Sequence, residues 1–236
     1  PRDRSYAATA ATAVGADVDV GLRAYMLRVY NYMGSGLLLS GIVAYAVANT
    51  PALMQLIFGT PLSWVVMLAP LGLVFFLSAR IEKMSAGAAQ ATFWIFAALM
   101  GASLASIFVI YTQTSIVRVF MITSVTFGAM SLYGYTTKKD LSGWGSFLMM
   151  GLIGIIVASI VNIFLGSAML QWVISVIGVL VFVGLTAYDT QKIKEMYSHA
   201  DGEATMSKKA IMGALRLYLD FINLFLMLLT LFGNRN

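Results

Sequence analysis

The chain has 236 residues, of which 60% are hydrophobic and only 11% are charged, and its formal net charge is +5. This composition excludes a soluble domain and indicates a membrane protein. Cysteine is absent and His199 is the single histidine, which excludes a disulfide framework, a thiolate nucleophile and a Cys- or His-rich metal site. The lysines and arginines stand in small groups between apolar runs, so we expect no nucleic-acid partner.

The predicted elements begin with residues 1–21, an Ala- and Thr-rich stretch that we interpret as a flexible cytoplasmic arm. Residues 22–236 then form a single transmembrane domain, because each of seven apolar runs of about 20 residues can cross a bilayer core of about 30 Å as a helix. The seven predicted helices cover residues 30–49, 61–78, 88–111, 115–135, 145–165, 169–191 and 211–232. The predicted fold class is therefore an all-α membrane protein.

The positive charges predict how the helices are oriented, because Lys and Arg in short loops are retained on the cytoplasmic side. They cluster before the first predicted helix and in every second connection after it, which assigns these regions to one face. The members are Arg2, Arg4, Arg23, Arg28, Arg80, Lys83, Lys138, Lys139, Lys192, Lys194, Lys208 and Lys209. The opposite face has only Arg118 and Arg235. We therefore predict a cytoplasmic N-terminus and a C-terminus outside.

Small residues recur at four-residue spacing in two of the predicted helices. Gly36 and Ser40 share a face of the first helix, and Ala98, Ala102 and Ser106 share a face of the third. Helix association in lipid relies on close packing and hydrogen bonds, which small residues allow. We therefore predict that these faces are helix–helix contacts within a bundle.

Acidic residues interrupt the last two apolar runs. A charged group inside hydrocarbon is costly unless it faces the bundle interior or a wet cavity, so such residues are functional candidates. Asp220 lies about 15 Å from the predicted cytoplasmic end of the seventh helix. It shares one helical face with Arg216 and Asn223, which are four residues before it and three after it. Asp189 lies near the cytoplasmic end of the sixth helix, so the two carboxylates are able to meet.

Two carboxylates a few ångströms apart at low dielectric cannot both be ionised cheaply, so such a pair shares one proton. Protonation favours a hydrogen-bonded, closed pair. Loss of the proton creates repulsion, admits water and offers oxygen ligands to a hard cation such as Ca²⁺. Asp189 and Asp220 are thus predicted to be the pH sensor, the ion pathway and the metal ligands of a pH-gated cation channel. No tightly bound cofactor is expected.

Simpler structural roles stay open for these residues. Asp220 is able to pair with Arg216, and Asp189 with Lys192 at the membrane interface. Arg80 is either a latch that reaches a carboxylate on a neighbouring helix or, more commonly, an interface anchor whose charge snorkels to water. Intramembrane proteases also use paired aspartates, in a Tyr-Asp and a Gly-x-Gly-Asp motif, but here Asp189 follows a tyrosine whereas Asp220 follows Leu219. We therefore expect that the protein is not an enzyme.

Three stretches carry a family resemblance: RVFMITSVTFGAMSLYGYTTKKDLSGWGSF at 118–147, GLTAYDTQKIK at 184–194 and LRLYLDFINLFLMLL at 215–229. They resemble the transmembrane Bax inhibitor motif family, particularly its bacterial members, and the AYDTQ and LDFINLF motifs together are specific. The resemblance implies seven helices with the last one central in the bundle, and a location in the bacterial inner (plasma) membrane. One departure is Thr230, which stands where many bacterial relatives have arginine.

The resemblance also implies a function. In that family the acidic residues of the sixth and seventh helices form a pH-sensing pair that controls calcium leak, and by motif position these are Asp189 and Asp220. An arginine of the second helix is implicated as a latch, which corresponds to Arg80 here. The expected partners are therefore membrane lipid and the calcium ion. The alternative is a regulatory protein that binds a membrane-protein partner such as a membrane-bound protease, a role known for some bacterial relatives.

Overall fold

The computed structural model describes the backbone of residues 2–236 and the side chains of residues 20–236. Over that backbone the chain forms nine α-helices and no β-strand. They are α1 Arg2–Ala48, α2 Pro51–Phe58, α3 Leu62–Arg80, α4 Ala86–Leu104, α5 Ile107–Ile110, α6 Gln113–Thr136, α7 Ser142–Leu165, α8 Ala168–Glu195 and α9 Glu203–Phe232. The side chains of the arm predicted over residues 1–21 fall almost wholly outside the described residues, so that arm and the boundary at residue 22 stay predictions.

Seven helical segments in the described part of the chain are long and apolar enough to cross a membrane. They are Val20–Ala48, Leu62–Arg80, Ala86–Ile110, Gln113–Thr136, Ser142–Leu165, Ala168–Glu195 and Glu203–Phe232. The predicted fold class, with seven transmembrane helices, is therefore confirmed. The first and last helices begin earlier than predicted, because a helix can continue past its apolar run into water. At about 1.5 Å per residue, the 30 residues of α9 extend for about 45 Å, which exceeds the bilayer core.

Two short helices were not predicted. The eight-residue helix α2 begins with Pro51, at a position where the missing N–H costs nothing, and is too short to span the bilayer. The third membrane span is divided into α4 and α5 by an irregular turn at Ala105 and Ser106. Neither feature was predictable from hydrophobicity, because α2 lies beside a long apolar run and the turn lies within one.

The last helix is the centre of the bundle, as predicted. Helix α9 packs against α1, α3, α4, α6 and α8, whereas α7 packs mainly against α8. In α9, 56% of the residues in the most apolar window are buried, and no other described span exceeds 33%. A helix that is covered by neighbours on most sides can hold polar groups away from lipid, so α9 is the element on which a buried site can be built.

Hydrogen bonds gather the basic connections at one end of the bundle, which we call the basic end. Lys208 donates to the carbonyl of Glu82 at 3.0 Å, and Lys194 donates to the carbonyl of Tyr135 at 2.9 Å. Arg28 of α1 forms an ion pair with Glu203 at the start of α9, at 2.6 Å. The charge asymmetry between the two ends is therefore a feature of the folded chain. Its assignment to the cytoplasm stays a prediction from the distribution of Lys and Arg.

Helices α1 and α4 approach closely through small residues. The buried hydroxyl of Ser40 donates to the carbonyl of Ala97 at 2.6 Å, and a Cβ added to Gly101 would lie 2.5 Å from the carbonyl oxygen of Ser40. The prediction for Gly36 and Ser40 on α1 is confirmed. On the third span, however, the fully buried members are Ala97 and Gly101 rather than the predicted Ala98, Ala102 and Ser106, which are only partly buried. The contact face is displaced by one residue around the helix.

Candidate functional site

The orientation of Asp220 follows from the packing of its neighbours on α9. Tyr218 packs against Phe96 of α4 with ring centroids 5.1 Å apart, and its hydroxyl lies 2.6 Å from the Ser40 hydroxyl. Phe221 packs against Phe127 of α6 at 5.5 Å. These contacts fix the rotation of α9 and leave Asp220 directed towards α7 and α8.

Asp220 and Asp189 come together at membrane depth. Asp220 is 5% exposed, and the side chain of Asp189, on the adjacent helix α8, is 17% exposed. Each carboxyl is in range to be the hydrogen-bond partner of the other. Because ionised carboxylates only accept hydrogen bonds, such a bond requires that one of the two carries a proton. Oδ2 of Asp220 receives no hydrogen bond from any donor group in the described chain.

Arg216 is the cation beside the pair. Its Nη1 lies 4.0 Å from Oδ1 of Asp189, and half of its side chain is exposed. The polar stripe predicted on α9 is found, since Arg216, Asp220 and Asn223 all line one cavity. Asn223 donates its amide to the carbonyl of Leu219 at 2.8 Å, which leaves its own carbonyl oxygen as an acceptor. With both carboxyls ionised the three charged groups sum to −1, and with one shared proton they sum to zero.

The pair lies in a cavity of about 580 Å³ that we call the lateral cleft. Helices α8 and α9 form its floor, while one wall is α7 and the other is contributed by Leu71 of α3. The remaining lining is mostly apolar. Its members are Met149, Leu152, Ile155, Ile156, Ser159, Ile160, Ile163, Phe182, Leu185, Leu219 and Met227. The site therefore combines a carboxyl pair with hydrocarbon walls.

Two of the predicted interactions differ from what the structure holds. Arg80 is exposed at the end of α3 and is absent from the lining of the lateral cleft, which among the described arginines includes only Arg216. Lys192 does not pair with Asp189; it contacts Glu195 and Ser142, each at 2.7 Å. Lys192 shares a helical face with Asp189, but its flexible side chain extends towards Ser142 and Glu195 at the end of α8.

Sequence reasoning missed the α7 wall of the cleft. Helix α7 is apolar along almost its whole length, so no periodic pattern indicates which of its faces meets α8. It also missed a buried hydrogen-bonded chain beside the site, in which the Tyr30 hydroxyl lies 2.6 Å from Ser131 and Ser131 lies 2.9 Å from Thr190. A hydroxyl within an apolar run is the only signal for such a chain, and it does not identify the partner.

Comparison with known proteins agrees with the fold and the motifs. A family model described as "Inhibitor of apoptosis-promoting Bax1" matches residues 22–236. The chain belongs to the Bax inhibitor family. This match covers both aspartates and all seven membrane spans apart from the first two residues of the first span, and it confirms the family that the AYDTQ and LDFINLF motifs indicated.

Several bacterial relatives extend over nearly the whole chain. "Inner membrane protein YbhL" of Escherichia coli strain K12 is 54% identical over 218 residues, which are 91% of this chain and 93% of that protein. An uncharacterized protein of Rickettsia prowazekii is 50% identical over 217 residues, 92% of each chain. Another of Caulobacter vibrioides is 48% identical over 226 residues, 92% of this chain and 90% of that one. The seven spans and the inner-membrane relative support the predicted localisation, a multi-pass protein of the bacterial inner membrane.

Proposed function

We propose that this member of the Bax inhibitor family is a pH-sensitive calcium leak channel, gated by the proton-sharing pair of Asp189 and Asp220. The observation that carries the proposal is the burial of two carboxyl groups, within hydrogen-bonding range, in a cavity at membrane depth. A single buried acid is often structural, but two acids held together in low dielectric form a group whose charge depends on one shared proton. The pair is assigned to ion conduction, not to catalysis, and needs no bound cofactor.

The sign of the pH response follows from the charges around the pair. With one shared proton, Asp189, Asp220 and Arg216 are neutral together, and the carboxyls attract each other through a hydrogen bond. When the proton leaves, the carboxylates repel and the site becomes negative, which draws in water and a cation. The leak is therefore expected to rise as the pH increases through the range in which the pair loses its proton.

Few other charged groups face the pair. Arg216 on α9 and Asp189 on α8 are the ionisable side chains that line the lateral cleft with Asp220, and α3 and α7 line it with uncharged residues. Helix α1 contributes the buried Tyr25 near Arg216. Helices α4 and α6 meet α9 through aromatic rings, which are Phe93, Phe96, Phe120 and Phe127. A pH response of the site is thus attributed to the carboxyl pair.

The donor set suits a passing calcium ion more than a resident one. Ca²⁺ prefers six to eight oxygen ligands. The cleft offers the two carboxyls, the free carbonyl oxygen of Asn223 and the hydroxyl of Ser159, so with one oxygen from each carboxyl water would supply the other ligands. Among the described residues there is no cluster of three or more His, Cys, Asp or Glu side chains. Incomplete coordination by the protein favours rapid exchange, which a leak pathway requires.

The test is calcium flux through the purified protein in liposomes, measured between about pH 5 and about pH 8. Asp220→Asn and Asp189→Asn each remove one acid and its shared proton. Asp140→Asn is the matched control, because Asp140 is an exposed acid in the connection before α7. We expect either pair variant to flatten the pH dependence of the leak, and the control to keep it.

Two results would reject the channel. One is a wild-type protein that passes no calcium at any pH; the other is a pH profile that both pair variants leave intact. Folding of each variant is checked by its thermal unfolding in detergent, so that a lost leak is not confused with a lost protein.

A second candidate is a regulatory protein that binds a membrane-protein partner, such as a membrane-bound protease. It is favoured by a groove of about 570 Å³ at the basic end, whose lining includes Arg28, Asn31, Glu203 and Ser207. Such a role would tolerate Asp220→Asn and would fail on removal of the N-terminal arm, residues 1–21. The channel instead requires Asp220 and does not require the arm, so these two variants distinguish the two candidates.

A further inference from the structure

The lateral cleft opens sideways towards the membrane. Helix α3 packs against α4, and α7 packs against α8, so the two walls face each other across the cleft. Four apolar lining residues along this opening are each at least half exposed, namely Leu71, Ile156, Ile160 and Ile163. In a membrane these side chains meet lipid tails rather than water. The opening therefore admits hydrocarbon, and a hydrated ion would lose its water on this route.

The floor of the same cleft is built for a positive charge. Asp220 is buried, and its Oδ2 receives no hydrogen bond from a described donor. Arg216 offers one positive charge against two carboxyls. When both carboxyls are ionised, the net charge is −1, which one further positive charge would neutralise. A hydrogen-bond donor that carries a single positive charge would complete the site, because a buried carboxylate without a partner is costly.

A molecule that joins a hydrocarbon tail to a cationic hydrogen-bond donor fits both halves of the cleft. A lipid tail would fill the apolar walls but leave the negative charge of the ionised pair uncompensated, and a metal ion would satisfy the acids but not the walls. A primary alkylamine has a hydrocarbon tail and an ammonium with three N–H donors, and it is protonated at neutral pH. Its tail would lie between α3 and α7 while its ammonium reached the pair.

We propose that the lateral cleft binds a hydrophobic primary amine, with the alkyl chain between α3 and α7 and the ammonium on Asp189 and Asp220. A bound amine neutralises the negative charge that would otherwise attract a calcium ion. It therefore blocks the leak. The binding does not depend on the channel, whereas the block rests on the proposed function.

Binding is tested by photolabelling the purified protein in lipid nanodiscs with an alkylamine that carries a diazirine in its tail. The alcohol of the same length, also with a diazirine, reports simple partition into lipid. Ile156→Trp fills the cleft. Val157→Trp is its control, because Val157 is the next residue along α7, is 54% exposed against 50% for Ile156, and does not line the cleft. Asp220→Asn removes the charge at the floor.

We expect the amine to label the cleft-facing residues of α3 and α7, and the alcohol to label all lipid-facing helices alike. Labelling of the cleft should fall several-fold in Ile156→Trp and in Asp220→Asn, and stay at the wild-type level in Val157→Trp. Equal labelling of the cleft by amine and alcohol would overturn the site, as would unchanged labelling in Ile156→Trp.

The block is tested separately, as calcium flux in liposomes with and without dodecylamine. We expect the amine to reduce the leak of the wild type and of Val157→Trp. If the amine labels the cleft but leaves the leak unchanged, the block is wrong and the binding site stands. If no leak exists without amine, the proposed channel fails while the labelling result still decides the site.

Discussion

Arg216 is predicted to set the pH at which the leak responds. Its guanidinium lies 4.0 Å from Asp189, with half of the side chain exposed. In a medium of effective dielectric about 20, two unit charges at that distance interact by about 4 kcal/mol. Because half of the Arg216 side chain is exposed, we discount this attraction to roughly 1 kcal/mol, the upper end of the range for exposed ion pairs.

The perturbation is Arg216→Gln, which removes the charge and keeps a side chain of similar length. Arg216 favours the state in which both carboxyls are ionised, so its loss makes that state less accessible. Roughly 1 kcal/mol corresponds to somewhat less than one pH unit. We therefore expect the midpoint of the leak against pH, measured by calcium flux in liposomes, to move to higher pH by about half a unit or more.

Arg80→Gln is the matched control for this prediction. Arg80 is exposed at the basic end of α3 and does not line the lateral cleft, so the midpoint should stay at the wild-type value. A midpoint that moves to lower pH in Arg216→Gln would show that the electrostatic argument has the wrong sign. A shift in Arg80→Gln alone would show that the latch predicted from the family resemblance acts on the pair instead of Arg216.

Two further predictions concern stability. Tyr218→Phe removes a buried hydroxyl that lies 2.6 Å from the Ser40 hydroxyl, and should destabilise the protein by about 1 kcal/mol. The measurement is denaturant unfolding in detergent, and the pH response of the leak should stay intact. Equal stability of the variant and the wild type would show that this hydrogen bond is not formed. The pKa of Asp140 is lowered because the side chain and backbone N–H of Ser142 donate to it. Its stabilisation is therefore present above the unfolded-state pKa of about 3.9 and is lost as the pH falls through the folded value. The difference in the free energy of unfolding between wild type and Asp140→Ala should become smaller in acid. A difference that stays constant with pH would contradict a stabilising role of the ionised Asp140.

Much of the fold could be predicted because the bilayer imposes its own length on each helix. Runs of apolar residues marked all seven spans, and the motif resemblance indicated that the last one is central. Boundaries at the basic end were less predictable. Lys208 and Lys209 stop an apolar run but do not stop a helix, so α9 begins at Glu203.

The candidate site could also be predicted only in part. Asp189 and Asp220 could be identified because an acid within an apolar run stands out from its surroundings, and the spacing on α9 correctly grouped Arg216 with Asp220. The α7 wall could not be predicted, since a helix that is apolar on every side carries no signal for the face it presents. Arg80 was assigned by family resemblance, and its exposure at the end of α3 depends on packing that no local pattern records.

The charges of the site also constrain how calcium could pass. The ionised pair and Arg216 together carry −1, so a divalent ion would overcompensate them as long as Arg216 stays in place. Arg216 precedes Asp220 on α9 and therefore lies nearer the basic end, towards which its long side chain would have to swing to reach water. A calcium ion would then replace the guanidinium rather than join it. On this reasoning the arginine that steadies the ionised pair is also the group that has to leave before a calcium ion can bind there.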